Sequence, residues 1–203
     1  MTGSEDTEEV RAFVAIELDA EVRTALGGLQ GRLKRAPLAH LGRWVAPDGI
    51  HLTLMFLGDV PLARLPELEQ ALRRACAGTA PFEIAVSGLG VFPNAQRLRV
   101  IWVGVEEASG ALGRLQSAVE RELNRLGFRP EGRGFTPHLT LARIRDQAPG
   151  RERAELGAWI KRQAVGHVAT MPVRQVCLIR SDLRPDGAVY TRVAVATLQH
   201  REE

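Results

Sequence analysis

Apolar and polar residues alternate from Glu9 to Leu18. Val10, Ala12, Val14, Ile16 and Leu18 fall on one face and Phe13 and Ala15 on the other, the period-two spacing of a strand. Asp19 is a good N-cap, and after it the period lengthens: Val22, Leu26, Leu29 and Leu33 form the stripe of a helix that ends around Arg35–Pro37. Arg43-Trp44-Val45 predicts a short edge strand and Pro47-Asp48-Gly49 a turn, followed by a strand from Ile50 to Leu57 closed by Gly58. Pro61 opens a second helix, with Leu62, Leu65, Leu68, Leu72 and Cys76 on one side. Phe82, Ile84 and Val86 alternate as a strand, Gly88, Gly90 and Pro93-Asn94 read as a loop, and Leu98, Val100 and Trp102 alternate again. Ser109 caps a third helix carrying Leu112, Leu115, Val119, Leu123 and Leu126, which Gly127 closes. A Gly/Arg-rich loop then precedes a strand at Phe135–Ile144. A helix at about Arg151–Gln163 contributes Leu156 and Ile160. The chain ends as a hairpin of Val173–Arg180 and Ala188–Thr197 across Pro185-Asp186-Gly187.

Strand–helix–strand–helix–strand therefore occurs twice. The halves share little sequence and no linker parts them, so each is expected to need the other to bury its sheet. The pattern predicts an α+β fold of largely antiparallel sheets with helices on their outer faces. One domain is expected over residues 9–199, with flexible tails at 1–8 and 200–203.

A chain of 203 residues, 45% hydrophobic and 25% charged, has the makeup of an ordinary soluble globular protein. It has no apolar run long enough to span a bilayer, and its acidic start is unlike a signal peptide, so a cytoplasmic protein with no membrane partner is expected; a monomer is expected as well. Cys76 and Cys177 show no CxxC spacing and read as small buried hydrophobes. The net charge is only +3, yet of 27 basic residues all but Lys34 and Lys161 are arginine. The planar arginine fork matches phosphate oxygens, so the composition permits a polyanionic partner without requiring one.

The candidate chemistry lies in a repeated tetrapeptide, His51-Leu52-Thr53-Leu54 and His138-Leu139-Thr140-Leu141. On a strand, residues i and i+2 leave the same face, so each imidazole sits beside its own threonine hydroxyl while the leucines point into the core. His40, His167 and His200 lack this context and read as surface or structural residues. Neither motif strand offers the acidic or cysteine partners a zinc site wants, and no HExxH, GxSxG, Walker or GxGxxG motif is present, so no metal or cofactor is expected. Paired histidines as acid and base, with hydroxyls to clamp an anion, suit displacement at phosphorus, and a strained 2′,3′-cyclic phosphate suits such a site best.

At these residues the chain resembles the two-histidine phosphoesterase superfamily, marked by paired His-x-Thr-hydrophobic motifs. Within it, the chain is most similar to the bacterial and archaeal RNA 2′,3′-cyclic phosphodiesterases, also called 2′–5′ RNA ligase-like. The likeness runs from Arg11-Ala12-Phe13-Val14-Ala15-Ile16 through Trp44-Val45, His51–Gly58, Val91-Phe92-Pro93 and Val100–Val103. It continues through Phe135–Arg143 to Ser181, Gly187 and Tyr190.

The resemblance implies a bilobal, pseudo-twofold fold with both motifs lining a central cleft. It implies metal-independent hydrolysis of an RNA terminal cyclic phosphate to a 2′-phosphate, with RNA ends, tRNA fragments among them, as substrate. Weak reverse 2′–5′ ligation is the same chemistry run backwards. By this analogy His51 donates a proton to the departing 3′ oxygen, His138 activates water, and Thr53 and Thr140 hold the phosphate. Phe56 and Arg143 stand five residues past their histidines, so strict alternation points them away from the cleft unless the strand bends. Phe13 has a base-stacking reading and a core reading of equal weight, and Tyr190 and Ser181 are weaker substrate contacts. The competing functions are the same chemistry on 2′–5′ oligoadenylate or ADP-ribose cyclic phosphate, and a non-catalytic RNA-end binding module.

Overall fold

The structure is a computed structural model that describes residues 8–129, 132, 134–184 and 187–199. Its elements run β1 (Glu9–Glu17), α1 (Ala20–Leu33), β2 (Gly42–Trp44), β3 (His51–Pro61), α2 (Leu65–Cys76), β4 (Phe82–Phe92) and β5 (Val100–Glu106). They continue α3 (Ala111–Asn124), β6 (His138–Ile144), α4 (Gly150–Lys161), β7 (His167–Val173), β8 (Gln175–Arg184) and β9 (Gly187–Thr197). The Asp19 carboxylate accepts from the Val22 N–H at 2.8 Å, the cap expected for α1.

The strands form one antiparallel sheet in the order β7-β4-β5-β6-β3-β1-β8-β9, with β2 alongside β6. The motif strands β3 and β6 meet at its centre, where Leu52 pairs with Leu139. The two lobes are thus four-stranded halves, β3-β1-β8-β9 and β6-β5-β4-β7, joined at that pair. Both leucines are fully buried, which stabilises by about 1.5–3 kcal/mol each. A one-residue slip in either strand would bury the histidines in their place.

The helices interlock the halves. The helix α1 leaves the first half to pack on β7 of the second, where α4 also lies against β4. The helix α3 leaves the second half to cover β3, and α2 lies beside it over β8 and β9. One core cluster runs through the whole helical side, which is why neither half could close alone.

Three features depart from the sequence expectation. First, β3 and β4 run through their glycines, to Pro61 and to Phe92. Gly90 is a strand position because a Cβ there would lie 2.1 Å from the Trp102 ring, and Gly88, at φ +68, sits at a register shift. Second, β7 is a strand that the pattern did not mark; its buried positions are only Ala169, Met171 and Val173, and its Pro172 is tolerated at a sheet edge. Third, Gly110 rather than Ser109 holds the N-cap of α3, and the Glu107 carboxylate accepts from the Leu112 N–H at 3.1 Å. The closing hairpin pairs as expected, but Pro185 and Asp186 lie outside the described residues, as do His200 and almost all of both predicted tails. Both cysteines are free and buried.

Candidate active site

In an antiparallel pair, residues directly opposite each other share a face. With Leu52 opposite Leu139, the next positions bring His51 toward Thr140 and Thr53 toward His138, all on the face opposite the leucines. All four side chains are half-buried, while Leu52, Leu54, Leu139 and Leu141 are sealed in the core. The two motifs are therefore related by a pseudo-twofold axis through the leucine pair. The sheet joint brings two imidazoles and two hydroxyls to one face of the sheet.

Each ring is held in the same way. His51 Nδ1–H donates to the Gly49 carbonyl at 3.0 Å and His138 Nδ1–H to the Thr136 carbonyl at 2.7 Å. A carbonyl can only accept, so Nδ1 of each ring carries a proton, and the neutral form of either ring has its lone pair on Nε2.

The aromatic walls differ. His51 stacks on Phe13 at 4.5 Å and meets Tyr190 edge-on at 5.0 Å. His138 meets Phe92 edge-on at 5.0 Å and lies 6.0 Å from Trp102. Burial lowers the His51 pKa from 6.5 to about 4; its bond to Gly49 opposes the fall, the Arg143 cation adds to it, and Glu17 opposes it. At neutral pH His51 is therefore uncharged.

That shift has a consequence for stability. A folded-state pKa below the unfolded 6.5 contributes stability that is complete above pH 6.5 and lost as pH falls toward 4, because only the unfolded chain takes up the proton. The expected result is a Tm that drops between pH 7 and pH 4.5 by more in the unsubstituted protein than in His51→Gln. Equal drops would show that His51 is not the group responsible.

A bulge in each motif strand sets the remaining residues. Thr53 pairs with Ala15 and Met55 with Val14, leaving Leu54 unpaired; Thr140 pairs with Trp102 and Ala142 with Ile101, leaving Leu141 unpaired. Each bulge inserts one residue and reverses the alternation beyond it. Phe56 and Arg143, which strict alternation would turn to the far face, therefore emerge on the histidine face. Phe56 is 46% exposed and stands 6.0 Å from Phe13, and Arg143 is exposed. Phe13 is 3% exposed, grouped with Ala15, Cys177 and Ile179, and its ring stacks on His51. Tyr190 stays 38% exposed at the rim, beside Ser181 in the hairpin register. His40 and His167 are exposed and lie outside both motifs.

Several residues at the site carried no sequence expectation. Glu17 lies opposite His51, ion-pairs with Arg192, and accepts from the Cys177 thiol at 3.3 Å. Phe92 and Trp102 wall His138. Gln30 of α1 is 1% exposed, and its Nε2 donates to the carbonyls of Val45 (2.8 Å) and of the bulged Leu141 (3.0 Å). Gln116 of α3 is 5% exposed and its Nε2 reaches the carbonyl of the other bulged leucine, Leu54, at 3.5 Å. Each helix thus leaves its own half and ties down the bulge of the other. The available signal was an uncharged polar residue inside an apolar stripe, four positions after Leu26 in one helix and after Leu112 in the other.

A doubled His-x-Thr motif at the joint of two half-sheets defines the class of two-histidine phosphoesterases. The family model of the 2′-5′ RNA ligase superfamily matches residues 17–185, and the chain belongs to that superfamily. It is 38% identical to a Methanothermobacter thermautotrophicus protein named RNA 2′,3′-cyclic phosphodiesterase, over 94% of this chain and all of that one. It is 32% identical to an Aquifex aeolicus protein of the same name, over 91% and 95% of the two chains. Among solved structures it is similar to TT0787 of Thermus thermophilus (TM-score 0.77, 32% identity, 95% and 100% of the chains). It is also similar to Escherichia coli LigT complexed with 3′-AMP (TM-score 0.74, 26% identity, 95% and 99%). No helix among the described residues is long and apolar enough to cross a membrane.

Proposed function

We infer that this protein is an RNA 2′,3′-cyclic phosphodiesterase. The observation that carries the reading is the pseudo-twofold set of His51, Thr53, His138 and Thr140 on one face of the sheet, with both Nδ1–H groups anchored to backbone carbonyls and both Nε2 atoms left for chemistry. Relatives at 38% and 32% identity over nine-tenths of the chain carry that name. The same names do not favour a 2′–5′ oligoadenylate or ADP-ribose cyclic phosphate. A binding module has no use for two titratable rings placed alike.

In the reaction, His138 Nε2 takes a proton from water as its oxygen attacks phosphorus. The bond from phosphorus to the 3′ oxygen breaks, and His51 Nε2 supplies the proton that this oxygen gains, leaving a 2′-phosphate. Thr53 and Thr140 donate hydrogen bonds to the non-bridging oxygens, where transition-state charge gathers. Burial, more than Arg143, keeps His51 neutral, so in this scheme it is protonated as substrate binds: the phosphodiester anion beside the ring favours its charged form. Phe56 and Tyr190 offer exposed rings to the terminal base. The arginine-rich composition suits cytoplasmic RNA fragments, those of tRNA included, and a monomer suffices because one chain supplies both motifs.

The test is incubation with an oligonucleotide ending in a 2′,3′-cyclic phosphate, with and without EDTA. The expected result is a 2′-phosphate product, formed at an unchanged rate in EDTA. A 3′-phosphate product would reverse the bond cleaved, and loss of activity that added divalent ion restores would remove the acid–base mechanism.

A further inference from the structure

One side chain on the histidine face has no part in that scheme. Arg43 of β2 pairs directly with Arg143 of β6, with Gly42 opposite Ile144 and Trp44 opposite Ala142. Opposite residues share a face, so Arg43 takes the face that the Leu141 bulge gives to Arg143, the face of His138 and Thr140. Burial agrees: Gly42, Ala142 and Ile144 are buried on the core side, while Arg43 and Arg143 are both exposed. The strand β2 flanks β6 just past the single β3–β6 pair, so Arg43 stands beside the joint on the histidine face.

Two arginines directly opposite on neighbouring strands, with Cα atoms about 5 Å apart, repel each other. Neither is in an ion pair among the described residues. A like-charge pair left open beside a site for a phosphodiester calls for an anion between or across it. Arg143 emerges on the histidine face past the Leu141 bulge, and its charge is felt by the His51 ring. Arg43 stands one strand farther out.

Given the cyclic phosphodiesterase reading, we propose that Arg43 forms a second phosphate subsite, which binds the phosphodiester on the 5′ side of the terminal nucleotide. The guanidinium fork grips non-bridging oxygens of that group, so the enzyme prefers an RNA strand end to a free nucleoside 2′,3′-cyclic phosphate. Arg143 neutralises the phosphate being cleaved, and Arg43 the one before it.

The experiment compares kcat/KM for a short oligonucleotide ending in a 2′,3′-cyclic phosphate with that for 2′,3′-cyclic AMP, which has no upstream phosphate, in the unsubstituted enzyme, Arg43→Ala and Arg43→Lys. Arg43→Ala is expected to lower the oligonucleotide value by about tenfold, mainly through KM, and to leave the mononucleotide value within about twofold. The log–log salt slope for the oligonucleotide should shrink by about 0.7, the counterion release of one single-strand phosphate contact. Arg43→Lys should keep that slope while recovering only part of the rate, because it keeps the charge and loses the fork. If the unsubstituted enzyme turns over both substrates and Arg43→Ala lowers both alike, or neither, the subsite is wrong and the phosphodiesterase reading stands. If the unsubstituted enzyme turns over neither, both fall.

Discussion

Replacing His138 with alanine lowers kcat on a cyclic-phosphate oligonucleotide by on the order of 10²–10⁴, and His51→Ala does the same, while both variants keep their strand signature in circular dichroism. In the proposed reaction, proton transfer is all that either ring supplies. His138 touches its surroundings through the Thr136 carbonyl and the Phe92 and Trp102 rings, none of which needs it to keep the sheet joined. His51 is more firmly packed, between Phe13 and Tyr190, so His51→Ala also loses some stability. The order of roles is tested with a substrate whose 3′ bridging oxygen is sulfur. A thiolate departs without a proton, so this substrate restores His51→Ala toward the unsubstituted rate and leaves His138→Ala slow. Rescue of His138→Ala instead would exchange the two roles. Equal failure with both substrates in variants that remain folded would mean that neither ring handles the leaving group.

Much of this geometry was legible in the chain. The doubled His-x-Thr spacing placed four functional groups on matching strand faces, and the apolar stripes of α1 to α4 marked where helices would cover the sheet. What escaped the pattern has a common physical cause: period-two reasoning assumes an uninterrupted strand. The bulges at Leu54 and Leu141 add one residue each and so reverse the faces of Phe56 and Arg143, and nothing in His-Leu-Thr-Leu announces them. Gly88 and Gly90 look like loop punctuation, yet Gly90 is needed inside a strand to let the Trp102 ring lie against its backbone. Arg43 looked like one arginine among many until register set it against Arg143. The glutamines were hidden for a different reason. Their partners are backbone carbonyls 111 and 62 residues away, a tertiary relation that no local window contains.

Those glutamines lead to the second large effect. In Gln30→Leu the side-chain volume stays similar, but the part-buried carbonyl of Val45 and the buried carbonyl of Leu141 lose a donor. The Leu141 oxygen still accepts from the Val45 N–H at 2.9 Å, so the main deficit falls on Val45 and on the hold over the bulge. Leaving a part-buried acceptor unpaired costs about 1 kcal/mol, the low end of the penalty for buried groups, which in a domain of this size lowers Tm by about 2–4 °C. Stability alone does not distinguish a structural residue from one that positions Arg143. The bulge turns Arg143 onto the histidine face, so relaxing it withdraws a cation from the phosphate, and kcat/KM well below Tm should fall by about tenfold. If Gln30 acts through Arg143, the double variant Gln30→Leu/Arg143→Ala loses no more activity than Arg143→Ala alone. Gln116→Leu makes the comparison from the other half. Its bond to Leu54 is the longer, at 3.5 Å, and the bulge it holds presents Phe56 rather than a charge, so its loss should be the smaller in both Tm and rate. Full activity in Gln30→Leu, or independent addition of the two losses in the double variant, would mean that the bulge keeps its shape without the helix that reaches over to it.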